Sequence, residues 1–175
     1  MACYARRQRF RSSEVQIPAG FGGHFEGAEG QACFAQRHER LALMAALDTN
    51  ILVRFLVEDD PAQHALAKRL IRRSIGAGQT LFVPITVFLE LEWVLRTSFA
   101  FAKDEVLQML NSLLASSELS IESEKALELV RLLYSRGSAD FSHCVRVALA
   151  AQADEQPLWT FDRAASKLDD AKLLA

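Results

Sequence analysis

Apolar positions fall into two alternating rhythms after residue 43. Short apolar runs at Met44–Leu47, Thr80–Val83, Leu119–Ile121 and Pro157–Thr160 read as buried strands. Between them stand longer stretches with apolar side chains at helical spacing. Thr49 to Val57 is apolar with one charge. Asp60-Pro61 opens the next helix, with Asp as cap and Pro at the first position. That helix is expected to run to about Ile75, turning Ala62, Leu66, Leu70 and Ala65 inward, and to stop at Gly76 and Gly78. Further helices are expected over Thr86–Ser98, Lys103–Ala115, Ser123–Ser135 and Asp140–Ala153, with a short final turn at Ala164–Leu168. Strands alternating with helices of ten or more residues predict βαβ units, hence an α/β fold with a parallel sheet covered on both faces. Ligands of such sheets bind beyond the carboxyl ends of the strands.

The first 43 residues break this order. They hold five of the eight glycines and show no sustained period, so Gly20 to Gly30 reads as loop or disorder. Residues 1–43 are therefore expected to be a disordered extension, or the product of an upstream start with Met44 as the true one. Arg6-Arg7 lacks the apolar segment an export signal needs, because Arg9, Arg11 and Glu14 follow. The remaining residues, 44–175, suit one domain. No apolar stretch is long enough to span a membrane. Cys3, Cys33 and Cys144 form no CxxC pair and no disulfide framework, which fits a reducing cytoplasm. Net charge is −2, so no overall positive field advertises nucleic acid. The extension carries six arginines and four glutamates, which leaves the rest of the chain at −4.

Four acids fall at the places where that architecture binds ligands. Asp48 follows the first strand and Asp162 the fourth. Glu90 lies on the helix after the second strand, and Asp140 opens the helix before the fourth. Carboxylates among apolar neighbours call for a compensating charge, and a hard cation such as Mg²⁺ or Mn²⁺ takes oxygen ligands. Such a cation can activate a water for attack on phosphorus. Each acid also has a plainer reading. Asp48, Asp140 and Asp162 can cap helices, and Glu90 can face solvent beside Glu92.

These residues carry a family resemblance. Met44-Ala45-Ala46-Leu47-Asp48-Thr49-Asn50-Ile51-Leu52 resembles the opening of a PIN domain, and Phe82-Val83-Pro84-Ile85-Thr86-Val87-Phe88-Leu89-Glu90-Leu91 its second motif. Gly137-Ser138-Ala139-Asp140-Phe141 resembles the third and Thr160-Phe161-Asp162-Arg163-Ala164-Ala165 the fourth. The resemblance covers residues 44–175. It implies a three-layer sandwich with a central parallel sheet of four to five strands. Within the superfamily the chain is most similar to VapC-type toxins. That likeness implies a Mg²⁺- or Mn²⁺-dependent endoribonuclease, a homodimer held inactive by a cognate VapB-type antitoxin. Carried over, Asp48, Glu90, Asp140 and Asp162 are the expected catalytic acids. Asp48, Asp140, Asp162 and His143 are the expected metal ligands, with Asn50 and Thr160 supporting them. One departure stands out: the chain reads Asp140-Phe141-Ser142-His143 where relatives often read Asp-Phe-x-Asp. Imidazole suits Mg²⁺ poorly, so reduced activity or a shifted metal preference is expected.

RNA contacts are expected from Arg54 and Arg163, near Asp48 and Asp162, and from Arg72 in the basic run Lys68, Arg69, Arg72, Arg73, which also reads as a solvated face. Phe55, Leu56, Phe99 and Phe101 are candidates for an antitoxin groove or for core. Two other functions compete. A catalytically weak PIN-like module would bind RNA or antitoxin without efficient cutting. A haloacid-type phosphohydrolase would want a second Asp where Asn50 stands.

Overall fold

The computed structural model describes residues 45–174, so the expected extension over 1–43 and Met44 itself lie outside the described residues. Helices α1 (Thr49–Val57) and α2 (Pro61–Gly76) come first, then strand β1 (Leu81–Val83) and helices α3 (Ile85–Thr97) and α4 (Lys103–Leu114). Strand β2 (Leu119–Ile121), helices α5 (Glu124–Arg136) and α6 (Phe141–Gln152), strand β3 (Leu158–Thr160), a 3-10 turn at Ala165–Lys167 and strand β4 (Ala171–Leu173) complete the chain.

All strand pairing among the described residues is parallel. β1 pairs with β2, Leu81 opposite Leu119, and β3 pairs with β4, Leu158 opposite Ala171. The first apolar run joins β1 through a bridge from Ala46 to Phe82. Two bonds seal it, Leu47 N–H to the Phe82 carbonyl at 2.8 Å and Phe82 N–H to the Ala45 carbonyl at 2.9 Å. The α/β class is as expected, but among the described residues the strands form two separate two-stranded ladders, not one continuous sheet of four or five. Strand β4 was not anticipated, because Ala171-Lys172-Leu173 carries no apolar run.

The core lies between the helices and the inner strands. Leu52, Phe88, Leu91, Leu95, Met109, Leu113 and Val130 are fully buried. Phe55 and Leu56 belong to this core, at 2% and 8% exposure, so they do not line an open groove; Phe99 and Phe101 pack against it. Helix α2 departs from expectation. Its inward face is Ala67, Ile71 and Ser74, whereas Leu66 is 60% and Leu70 38% exposed. Apolar residues occupy both sides of this helix, and docking on α1 decides which side is buried. His64 stacks on Phe55 with ring centroids 6.2 Å apart, and its Nδ1 lies 3.0 Å from the Arg54 carbonyl oxygen. The start of α2 is as read: the Asp60 carboxylate accepts from the N–H groups of Ala62 and Gln63, with Pro61 at the first position.

Candidate active site

Asp48 stands two residues beyond the Ala46 bridge, at the N-cap of α1. Its side chain makes no capping bond; Asn50 Nδ2 donates to Oδ2 at 3.2 Å instead. The plain capping role is therefore not the one Asp48 fills. The next residue, Thr49, is 2% exposed, and its hydroxyl donates to Glu90 Oε2 at 2.7 Å. This bond ties the start of α1 to the middle of α3. Glu90 itself is exposed, although Phe88 and Leu91 of the same helix are fully buried. A polar Thr on the inward face of an otherwise apolar helix was the signal for this link, and the motif reading passed over it.

Asp140 is the N-cap of α6. Its Oδ1 accepts from the His143 N–H at 2.8 Å, from the Ser142 hydroxyl at 2.8 Å, and lies 3.0 Å from His143 Nδ1. Burial pushes this carboxyl up, but the bonds from His143 and Ser142 outweigh it and hold Asp140 below the usual carboxylate range. Asp162 also caps: Oδ1 accepts from Ala164 N–H at 2.8 Å and Ala165 N–H at 2.7 Å, and its own N–H donates to Thr160 Oγ1 at 3.0 Å. Thr160 thus supports the turn that carries the acid.

The structure groups these residues pairwise: Asp48 with Asn50, Glu90 with Thr49, Asp140 with His143, Asp162 with Thr160. Among the described residues no cluster of three or more His, Cys, Asp or Glu side chains is poised to hold an ion. The reason is local. Each acid leans on a neighbouring donor, and unneutralised carboxylates gain nothing by approaching one another. The donor chemistry still fits a hard cation. All four acids are exposed, and each engages only one carboxylate oxygen in hydrogen bonds among the described residues.

The ground beneath Asp140 is heavily braced. Lys103 Nζ donates to the Gly137 carbonyl at 2.9 Å and sits 4.3 Å from the centroid of the Tyr134 ring. The Tyr134 hydroxyl donates to Glu92 Oε1 at 2.6 Å, and its ring meets Phe141 edge-on at 5.3 Å. Burial, then the bond to Glu92, raises the Tyr134 phenol above its ordinary range. Burial also pushes the Cys144 thiol up to about 11, with Asp140 adding to the shift, so this cysteine is protonated and inert at neutral pH.

The cations divide. Arg54 sits at the α1–α2 junction, where it pairs with Asp59 and donates to Gln63 at 2.6 Å. Arg72 and Arg163 are exposed. No helix among the described residues is long and apolar enough to cross a membrane.

A curated relative, the VapC ribonuclease of Aquifex aeolicus (strain VF5), is 22% identical over 125 residues, 71% of this chain and 92% of its own length. The family model described as PIN domain matches residues 45–171, a span that takes in all four acids and the strands and helices that present them. A match over that much of the chain places it in the PIN-domain family.

Proposed function

We propose that the chain is a divalent-cation-dependent endoribonuclease, the toxin of a type II toxin–antitoxin pair, acting in the cytoplasm as a homodimer restrained by a cognate VapB-type antitoxin. The observation that carries the reading is Asp48. It occupies the N-cap of α1, two residues past the Ala46 bridge, yet its carboxylate makes no capping bond and is exposed. An acid in a structural position without the structural job is available for chemistry. The name of the Aquifex relative and the PIN-domain match point the same way.

In this reading Asp48, Glu90, Asp140 and Asp162 would hold Mg²⁺ or Mn²⁺. When bound, the cation supplies positive charge against the phosphate and activates water. The chain's own residues do the positioning. Thr49 fixes the Glu90 carboxylate, Asn50 steadies Asp48, and Thr160 sets the turn of Asp162. Arg163 and Arg72 supply phosphate contacts to RNA. Hydrolysis would join the water's oxygen to phosphorus as the bridging P–O bond breaks, the water losing a proton to solvent and the departing oxygen taking one up as a hydroxyl.

A second reading, a weakly catalytic module that binds RNA or antitoxin, is favoured by one feature. His143 stands where relatives often carry an acid, and it draws Asp140 Oδ1 into a bond with its own ring. Induction in a bacterial host separates the two. The nuclease reading expects growth arrest that disappears in Asp48→Ala and on co-expression of the antitoxin. Arrest that persists in Asp48→Ala, or no arrest with soluble protein accumulating, favours the binding module.

A further inference from the structure

The β3–β4 ladder has one face in water. Parallel sheets are ordinarily covered on both sides. Here Leu158 and Ala171 pack against the core, while Trp159, on the opposite side, is 58% exposed, and Phe161, in the bend just past β3, is 79% exposed. β3 ends at Thr160, where Leu174 N–H donates to the Thr160 carbonyl at 2.9 Å, and Phe161 follows in the bend just beyond. Lys172 is paired in register with Trp159 and is exposed beside it. Phe161 is followed directly by Asp162 and Arg163, both exposed.

The geometry points to this face as a stacking platform for single-stranded RNA. Two aromatic rings two residues apart, leading straight to a candidate catalytic acid, offer flat surfaces to successive unpaired bases. Lys172 and Arg163 flank the rings with positive charge suited to the phosphate backbone. Neither makes an ion pair among the described residues. Leu173 and Leu174, 41% and 47% exposed at the end of the ladder, would suit another protein surface; the two rings with Lys172 and Arg163 beside them favour nucleobases and phosphates. The platform would bring a strand, not a duplex, to Asp162, because bases paired in a helix cannot lie on the rings. This inference rests on the ribonuclease reading above and adds how the substrate is held.

The test is equilibrium binding of a fluorescein-labelled 12-nucleotide single-stranded RNA (~12 nucleotides, enough to span one binding groove) to the full chain in EDTA. Trp93, also exposed, is replaced (Trp93→Phe) so that Trp159 emission reports contact. Trp159→Ala and Phe161→Ala are each expected to weaken binding about 5- to 150-fold. Phe161→Trp keeps a ring and should retain it. Trp159 emission should be quenched on binding, Lys172→Gln should flatten the salt dependence, and the matching duplex should bind weakly and ignore the ring variants. Circular dichroism confirms that each variant is folded. Unchanged affinity in both alanine variants overturns the platform while leaving the ribonuclease reading intact, provided the wild type still cuts RNA. A shift from dimer to monomer in sedimentation with RNA affinity unchanged also overturns it, and assigns the face to a second copy of the chain. A wild type that neither binds nor cuts RNA removes the ribonuclease reading and this inference together.

Discussion

Thr49→Val removes a single hydroxyl and leaves a side chain of nearly the same shape. The Thr49 hydroxyl is buried and donates at 2.7 Å to Glu90, joining α1 to α3. A hydrogen bond to a charged group is worth about 1.5–3 kcal/mol net. The methyl that replaces the hydroxyl is buried where the hydroxyl was and returns about 0.8 kcal/mol. Glu90 is exposed, so its released carboxylate regains water and no orphaned charge is left behind. The expected loss is about 1–2 kcal/mol, which for a domain of this size lowers the melting temperature by roughly 4–8 °C. Urea denaturation of wild type, Thr49→Val, Glu90→Ala and the double variant gives the coupling directly. Cleavage of RNA by Thr49→Val should fall further than its folded fraction, because Glu90 loses the bond that orients it. A coupling within about 0.3 kcal/mol of zero, together with unchanged cleavage, refutes the argument that Thr49 positions Glu90.

Three further outcomes are expected. Tyr134→Phe removes the 2.6 Å bond to Glu92, whose side chain is only 13% exposed, and should cost about 1–3 kcal/mol in urea denaturation. Asp140 is held below the usual carboxylate range, so the stability it contributes is complete above its ordinary value of 3.8 and is lost as pH falls through the lower folded value. Asp140→Asn should therefore flatten the stability profile below about pH 4, seen in melting temperature against pH. His143→Asp restores an acid on the first turn of α6 and should lower the Mg²⁺ concentration for half-maximal RNA cleavage, on the order of tenfold; no change in the Mg²⁺ titration places His143 outside the cation site.

Much of the fold was legible because its elements are punctuated locally. Pro61 behind Asp60, Pro84 closing β1 and Gly137 ending α5 each mark a boundary within a residue or two of where it stands. Helices α3 to α6 follow their apolar spacing for the same reason. Helix α2 faces the core with a different side from the one its spacing predicts, since both of its sides carry apolar residues and its docking, with the His64 ring on Phe55, is a contact between helices. Strand β4 has too mixed a composition to announce itself. At the site, the positions of the four acids followed from the motifs, but the direction each carboxylate takes did not. Asp140 and Asp162 turn onto N–H groups of their own first turns, and Glu90 turns onto a hydroxyl from another helix. Those bonds depend on backbone geometry that residue spacing does not encode.

The central claim is that the exposed, non-capping carboxylate of Asp48 serves RNA cleavage. Purified full-length protein, stripped with chelator and then supplied with Mg²⁺ or Mn²⁺, is incubated with single-stranded RNA beside an Asp48→Asn variant of equal stability. Wild type is expected to cut only when metal is returned, and Asp48→Asn to lose at least about a hundredfold of that activity, the scale of removing a group that acts directly at the reacting phosphate. Equal cleavage by the two proteins, or cleavage indifferent to metal, contradicts the account.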